Sequence, residues 1–316
     1  MHLKLFTVPS DFRLFTASSS LTFSNKYILL MTNVDCSNLV APAKINVRLE
    51  IIGKREDGFH EIRSIMGAVG LYDTISLSKT PAGITLTSSG SDIPLDNKNL
   101  AFKAASLIIS ESKVAGGVAI SLKKCIPVAS GLGGGSSDAA ATMKGINDLY
   151  DLKCSLRQLM ELGVRIGADV PFFFSNGPAL ATGIGEKLSP IELSPPFWAL
   201  LVTPPIPVST AWAYRQFRLQ TQGEIFTFSE KIDLFKVGKE ILYNDFERVV
   251  IPHFPEIAKI KKALEKLGAW GSLMSGSGPT VFGLFFDEAE ARSAENKLVK
   301  LYHERNWKIS VAKALL

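Results

Sequence analysis

A glycine- and serine-rich stretch contains the residues of this chain that are best suited to chemistry. Residues 127–141 read P-V-A-S-G-L-G-G-G-S-S-D-A-A-A, with four glycines within five positions. Glycine lets a ligand approach the main chain. Ser and Asp are preferred N-caps, so Ser136, Ser137 and Asp138 ahead of an alanine run predict a helix start. The free N–H groups and dipole of such a helix N-terminus bind anions, most often phosphate.

This stretch is neither of the two commonest phosphate loops. A Walker A loop has a lysine at the helix start, and none is present here. A Rossmann loop has the pattern G-x-G-x-x-G, but the sixth position counted from Gly131 is Ser136. The alternative is a flexible linker, which is not usually followed by apolar residues at helical spacing such as Met143, Ile146 and Leu149.

The segment ahead of this loop contains a second set of candidate residues. From Ala43 to Ile51 polar and apolar residues alternate, which is the period of a half-buried strand. The polar residues that share one face are Lys44, Asn46, Arg48 and Glu50. Such a face usually meets solvent, but it would form part of a site if it lies toward the glycine loop.

Asp169 and His60 are two isolated candidates. Asp169 lies in an apolar run, where an unpaired carboxylate is costly and needs a cationic or hydrogen-bonding partner. It is either a capping or salt-bridged aspartate or a catalytic carboxylate. His60 follows a charged turn over residues 53–58, where a lone histidine is more often an ordinary surface residue than a ligand.

The periodicity of the chain predicts the elements that must position these residues. The predicted strands cover 43–51, 72–77, 84–86, 118–122, 197–202, 281–286 and 308–312. The predicted helices cover 156–166, 257–267 and 289–302, and residues 96–99 cap another. Strand, glycine loop and helix therefore occur in the order that a phosphate site needs. A second Gly/Ser segment, 271–280, is either a tight turn or a loop that faces a ligand.

Composition excludes several classes of protein. The 316 residues suggest two domains, and 46% apolar residues are ample for a core. The net charge of +5 is mild and no dense Lys/Arg run occurs, so we expect no nucleic-acid partner. The three cysteines form no disulfide framework, which favours a reducing compartment. No apolar segment is long enough for a membrane span, so we expect a cytoplasmic protein without a membrane partner.

Residues 1–34 differ from the rest of the chain. They are rich in Ser, Thr and Phe and poor in acidic residues, as transit peptides are. Their basic residues are few and their amphipathic pattern is weak, so we favour an upstream extension with Met31 as the natural start. Import into a plastid is expected only if this segment is a true transit peptide.

Three blocks of this chain resemble, in order and separation, the motifs of the GHMP small-molecule kinases. They are P-A-K-I-N at 42–46, P-x-x-x-G-L-G-G-G-S-S-D-A-A at 127–140 and M-S-G-S-G-P at 274–279. Within that superfamily, G-K-R-x-D-G-F-H at 53–60 and G-A-D-V-P-F-F at 167–173 resemble the branch that phosphorylates 4-diphosphocytidyl-2-C-methyl-D-erythritol. The resemblance covers the chain from about residue 40 to its last residue.

The resemblance implies an α+β, two-domain GHMP kinase fold. Its N-terminal domain would be ribosomal-protein-like and its C-terminal domain ferredoxin-like, with the active site in the cleft between them. We place the ATP-binding domain at 35–194 and the C-terminal domain at 195–316, because the Pro-rich piece Ser194-Pro195-Pro196 marks a boundary.

The resemblance also implies roles for single residues. The γ-phosphoryl group of ATP would pass, with Mg²⁺ present, to the C2 hydroxyl of the methylerythritol unit, in the non-mevalonate route to isoprenoids. Asp169 would be the base for that hydroxyl, Lys44 would lie between base, hydroxyl and phosphate, and Ser137 is the candidate near the metal. The residues implied to hold ATP are Pro127, Val128, Ala129, Ser130, Gly131, Leu132, Gly133, Gly134, Gly135, Ser136 and Ser137, with Asn99 near the adenosine. Those implied to hold the small-molecule substrate are Asn46, Phe59, His60, Thr210 and Tyr214, where Phe59 replaces a frequent Tyr and keeps a stacking face.

Other functions are weighed against this one. Another GHMP kinase, for homoserine or mevalonate, would use an acceptor without a nucleotide, and His60 would then matter little. A catalytically inactive, ligand-binding relative is disfavoured because Lys44, the full loop and Asp169 are all retained. A dehydrogenase is disfavoured by the broken G-x-G-x-x-G pattern. We expect a monomer or a weak homodimer.

Overall fold

The structure is a computed structural model that describes residues 36–218 and 229–316, so the predicted extension over 1–34 lies outside the described residues. The strands are β1 (Cys36–Lys54), β2 (His60–Thr80), β3 (Ile84–Ser89), β4 (Gly117–Lys123), β5 (Ala179–Thr182), β6 (Lys187–Pro190), β7 (Glu192–Ser194), β8 (Trp198–Thr203), β9 (Lys231–Asp233), β10 (Tyr243–Asn244), β11 (Gly271–Met274), β12 (Val281–Phe285) and β13 (Lys308–Leu315). The α-helices are α1 (Leu100–Glu111), α2 (Gly134–Leu149), α3 (Leu156–Val164), α4 (Thr210–Gln216), α5 (Leu234–Val237), α6 (Glu247–His253), α7 (Glu256–Lys266) and α8 (Glu288–Leu301). Short 3₁₀-helices cover Pro171–Phe174, Lys239–Ile241 and His303–Arg305.

Two long antiparallel strands, β1 and β2, form the frame on which the site is built. They pair from Cys36 opposite Ser78 to Lys54 opposite His60. The alternation predicted over residues 43–51 is present in β1, and the apolar side chains of that stretch are buried in the core. A register shift between Asn46 and Arg48 interrupts the ladder, as a bulge does, and bulges bend a strand and re-aim its side chains.

The remaining strands extend this pair into one mixed sheet. Its main path runs β10-β1-β2-β13-β8-β12-β11, with β3 to β6 attached beside β2, while β7 and β9 form a separate pair. The pairs β1–β10 and β3–β4 are parallel, and the other pairs of the large sheet are antiparallel. Strand β11 consists of the first four residues of the second Gly/Ser segment, so the loop in that segment is shorter than predicted.

The helices cover the sheet and bury its apolar side chains. Helices α1 and α2 pack against each other, and α2 lies on β1 and β2. The side chain of Asn99 caps α1 by accepting a hydrogen bond from the N–H of Ala101, as residues 96–99 predicted. Helices α7 and α8 pack on the strands of the C-terminal half. Within the ranges that the structure describes, no helix has both the length and the apolar character that crossing a membrane requires.

Strand β13 links the two halves of the chain. Residues Lys308–Lys313 pair with β8, while Ala314 and Leu315 pair with Val69 and Ala68 of β2. One apolar cluster accordingly contains Ile45 of β1 together with residues of β8, β12 and β13. The domain boundary at residues 194 and 195 stays a prediction.

Candidate active site

The glycine stretch forms a loop that runs directly into α2. The helix begins at Gly134, and its N-cap is Gly133 in the left-handed region (φ +70°). The predicted capping by Ser136, Ser137 or Asp138 is therefore wrong: these residues lie inside the helix. Glycine adopts a positive φ without strain, so the helix can begin earlier than the side-chain caps suggested. The first-turn N–H groups of α2 thereby fall within the glycine run, as an anion site requires.

The loop is held by close contact with the third motif. A Cβ on Gly131 (φ +82°) would lie 2.2 Å from the carbonyl oxygen of Ser275. The Ser275 hydroxyl donates to the carbonyl oxygen of Gly131 (3.0 Å). The backbone N–H of Thr280 donates to the carbonyl oxygen of Ser130 (3.1 Å). Of the two interpretations of the second Gly/Ser segment, the loop that faces a ligand is supported, because Gly276 and Ser277 line the same cavity as the glycine loop.

The polar face of β1 is buried rather than exposed to solvent. Lys44 and Asn46 are each 3% exposed, and Arg48 and Glu50 are buried with them. The Lys44 ammonium donates to Oδ1 of Asn46 (2.5 Å), whose amide donates to the hydroxyl of Ser64 (2.8 Å). Further along, Glu50 pairs with Arg48 at 2.6 Å. Lys44 and Asn46 therefore point to the cavity, while Arg48 and Glu50 form a buried ion network.

Lys44 and Asp169 form an ion pair at the cavity. The two charged groups lie 3.5 Å apart, and the Asp169 side chain is 36% exposed. Asp169 lies in the turn before the 3₁₀-helix that starts at Pro171. Lys44 is thus the cationic partner that a carboxylate in this apolar segment was expected to need. A Cβ on Gly133 would lie 2.9 Å from Cγ of Lys44, so this lysine also touches the glycine loop.

Two stacked rings form another wall of the cavity. The rings of His60 and Tyr214 lie with centroids 4.9 Å apart and planes 24° from parallel. Burial, and then the nearby Lys54 charge, lowers the pKa of His60, which favours the neutral imidazole. Burial, and then the Asp169 charge, raises the pKa of Tyr214 to about 12, so its phenol is protonated at neutral pH. Phe59 beside them is 57% exposed and offers a free ring face.

One cavity of about 1200 Å³ brings nearly all the predicted site residues together. Thr210 also lines it, and its hydroxyl bonds to that of Ser277 (2.7 Å). Asn99 lines it from the start of α1. Leu132 does not, because its side chain is buried in the apolar core; its carbonyl oxygen accepts from the N–H of Lys44 (2.9 Å).

Ser137, the residue predicted near Mg²⁺, lies behind the cavity wall. Its side chain is fully buried, and its hydroxyl has no hydrogen-bond partner. Across the described parts of the chain, no group of three or more His, Cys, Asp or Glu side chains is arranged to hold a metal ion. The metal role of Ser137 stays a prediction.

Some residues of the cavity were not predicted from the sequence. Those that carry charged side chains are Lys54, Lys124, Asp138, Arg215 and Arg218. The available signal was that Lys124 and Asp138, which carry opposite charges, flank the uncharged glycine loop. Arg215 follows Tyr214 directly, but nothing in the local pattern distinguishes it from other surface arginines.

Comparisons with known proteins agree with this geometry. The family of GHMP kinases N terminal domains matches residues 99–177, and that of GHMP kinases C terminal domains matches residues 229–304. The chain is 48% identical over 265 residues to the 4-diphosphocytidyl-2-C-methyl-D-erythritol kinase of Syntrophotalea carbinolica, covering 83% of this chain and 94% of that protein. Many further relatives carry the same name, among them that of Geobacter metallireducens, at 45% identity over 88% of this chain and 98% of that protein.

Solved structures give the same picture of the fold. A crystal structure of 4-(cytidine 5'-diphospho)-2C-methyl-D-erythritol kinase superposes with a TM-score of 0.74 at 33% identity, covering 88% of this chain and 98% of that one.

Proposed function

The chain belongs to the 4-diphosphocytidyl-2-C-methyl-D-erythritol kinase family of the GHMP kinases, and from this we propose that it transfers the γ-phosphoryl group of ATP to the C2 hydroxyl of that substrate. The family and the two-domain GHMP kinase fold predicted from the three motifs are confirmed. The function and the class of enzyme, an ATP-dependent small-molecule kinase, are those that the sequence predicted.

The Lys44–Asp169 pair beside the glycine loop is the observation that carries this proposal. Phosphoryl transfer needs alignment and charge neutralisation more than covalent help from the protein. An alcohol is a poor nucleophile until its proton has an acceptor, and Asp169 is a partly exposed carboxylate at the cavity. The neighbouring Lys44 ammonium, 3.5 Å from that carboxylate, balances charge on the transferred group.

Asn46 prepares Lys44 for this role. It accepts a hydrogen bond from the ammonium and is itself held by the Ser64 hydroxyl, so the position of the charge is set before substrate arrives. Asp169 orients the acceptor hydroxyl and takes its proton as the new bond to phosphorus forms.

The glycine loop fits a nucleotide. Side chains at Gly131 and Gly133 would collide with Ser275 and Lys44, and the first turn of α2 presents free N–H groups within the loop. Bound ATP would supply the phosphoryl group here, and Mg²⁺ bound with it would neutralise charge on the phosphate oxygens. Ser137 lies in this turn, but its hydroxyl is fully buried and does not line the cavity, so its role as a Mg²⁺ ligand rests on the resemblance alone. Asn99 lines the cavity from the start of α1, where we place the adenosine.

The stacked rings of His60 and Tyr214 suit the cytidine end of the acceptor. A pyrimidine base stacks on aromatic faces and needs neutral hydrogen-bonding groups at its edge. The pKa directions of His60 and Tyr214 favour such neutral groups. Phe59 offers a further ring face, and the hydroxyl of Thr210 lies at the cavity wall.

An ADP-release assay with Mg-ATP tests this function. It compares 4-diphosphocytidyl-2-C-methyl-D-erythritol with homoserine and mevalonate as acceptors. We expect turnover of the first acceptor alone, because homoserine and mevalonate carry no nucleobase that could stack on the rings of His60 and Tyr214. Turnover of homoserine or mevalonate at a similar kcat/KM would contradict the proposal, and ATP binding without turnover of any acceptor would indicate an inactive relative. The cytoplasmic location and the monomeric or weakly dimeric state stay predictions.

A further inference from the structure

A second group of charged residues lies beside the glycine loop and takes no part in the chemistry proposed above. The ammonium of Lys124 donates to Oδ2 of Asp138 (2.6 Å) and to Oδ2 of Asp73. Asp73, Asp138 and Lys124 are 0%, 3% and 7% exposed. We call these three residues the loop anchor.

The loop anchor ties both ends of the glycine loop to strand β2. Lys124 precedes the loop, and Asp138 follows it in α2. Oδ1 of Asp73 accepts hydrogen bonds from the backbone N–H groups of Cys125 (2.6 Å) and Ile126 (2.9 Å), the residues that lead into the loop. One carboxylate on β2 therefore holds the entry to the loop directly and, through Lys124, its exit.

The loop anchor also touches the surface on which the nucleotide would lie. A Cβ on Gly134 would be 3.3 Å from the Lys124 ammonium and 2.9 Å from Cγ2 of Ile126. Lys124 and Asp138 both line the cavity. A shift of either side chain would therefore reach the junction of loop and helix, where the free N–H groups are.

The charges within the loop anchor do not balance. Two buried carboxylates share one ammonium, and Oδ1 of Asp138 has no hydrogen-bond partner. A buried carboxylate oxygen without a partner is costly, so the presence of Asp138 here has an explanation other than stability. A carboxylate beside a phosphate site would, by its charge alone, repel the ligand.

We propose that Asp73, Lys124 and Asp138 are positioning residues that hold the glycine loop in its nucleotide-binding shape. This proposal rests on the proposed function in assuming that the loop binds ATP. It differs from a purely structural role, in which the same contacts would stabilise the fold and leave nucleotide affinity unchanged.

Asp138→Ala and Asp138→Asn test the proposal through binding of a non-hydrolysable ATP analogue, measured by calorimetry. The binding is measured at pH 8, where Asp138, whose pKa burial raises to about 7, is mostly ionised. Loss of this charge alone would tighten binding, so weaker binding indicates lost positioning. We expect Asp138→Ala to raise the Kd by about tenfold or more, the size of one lost hydrogen bond to a charged group. Asp138→Asn keeps the shape and one acceptor oxygen, so we expect it to fold and to raise the Kd by about threefold, as a neutral hydrogen bond is weaker.

Two controls separate this effect from general damage. Asp148→Asn makes the same chemical change at an exposed position of the same helix, and its Kd for the analogue should equal that of the parent. Cytidine 5'-diphosphate should bind to all folded variants as it does to the parent, because His60 and Tyr214 are untouched. If a folded Asp138 variant binds the analogue as tightly as the parent or more tightly, the proposed positioning role of the loop anchor is wrong, while the proposed function still stands. A parent protein that does not bind the analogue would overturn the proposed function as well.

Discussion

Two buried lysines touch neighbouring glycines of one loop, yet their charges are neutralised in different ways. Lys44 lies against Gly133 and donates to an amide oxygen, while its nearest carboxylate is 3.5 Å away and 36% exposed. Lys124 lies against Gly134 and donates to two carboxylates, Asp73 and Asp138, that are almost fully buried.

This difference explains how one residue type can serve two purposes. The Lys44 charge is only partly compensated and lies at the open cavity, so it can bind a substrate anion without breaking a tight pair. The Lys124 charge is fully compensated within the fold, and breaking its pairs would leave buried charges behind. Changes near Lys44 should therefore alter catalysis, and changes near Lys124 should alter stability and the shape of the loop.

Asp169→Asn should have the largest effect. An amide cannot take the hydroxyl proton, so we expect kcat to fall by about 10²- to 10⁴-fold, the usual scale for general-base catalysis. Binding of the ATP analogue should persist, since Asp169 is not part of the glycine loop. The exposed Asp151→Asn serves as the control in the ADP-release assay. Turnover close to that of the parent would remove Asp169 from the chemistry.

Lys44→Met should lower kcat by about 10²- to 10³-fold, as does loss of one donor that stabilises transition-state charge. Its unfolding free energy should fall by no more than about 1–3 kcal/mol, because only the Asn46 amide oxygen loses a buried donor and Asp169 keeps access to water. Urea unfolding and the ADP-release assay on the same preparation measure both quantities. A large loss of stability here would break the comparison between the two lysines.

Lys124→Met should instead lower the free energy of unfolding by about 3–5 kcal/mol, the cost of removing one partner from a buried ion pair. Urea unfolding measures this change. Lys153→Met is the matched control, because Lys153 pairs with Asp151 at the surface and exposed pairs contribute little. If the two methionine variants are equally stable, the Lys124 pairs are not a structural requirement.

The smallest effect concerns the pH dependence of stability. Burial and the Asp73 charge, opposed by Lys124, raise the pKa of Asp138 from 3.8 to about 7 in the folded protein. The folded state thus binds this proton more tightly than the unfolded state, so the contribution to stability is largest at low pH and is lost as pH rises toward about 7. Asp138→Asn should remove this contribution. The stability of the parent relative to the variant should therefore fall between about pH 4 and about pH 7 and then level off. A difference that does not vary with pH would contradict the raised pKa.

Local patterns predicted the frame of the molecule well. The alternation over residues 43–51, the cap at Asn99 and the order of strand, glycine loop and helix are all present in the structure. Each depends on residues close together in the chain, whose spacing sets the face they share. The short strands within residues 179–194 and the short helices within residues 210–253 were not predicted, because such brief segments depend on their neighbours in space.

The sequence alone predicted the family, which is confirmed, and a phosphate-binding loop and catalytic residues, which stay predictions; each depends on residue type and order. Whether the polar face of β1 met solvent or a site depended on how strands and loops pack. Lys124 shows the reason most plainly: its pair with Asp73 joins residues 51 positions apart, and no local pattern reveals such a contact. Burial and the sharing of charge follow from the folded chain, so only the tertiary structure separates Lys44, whose nearest carboxylate is partly exposed, from Lys124, which pairs with two buried carboxylates.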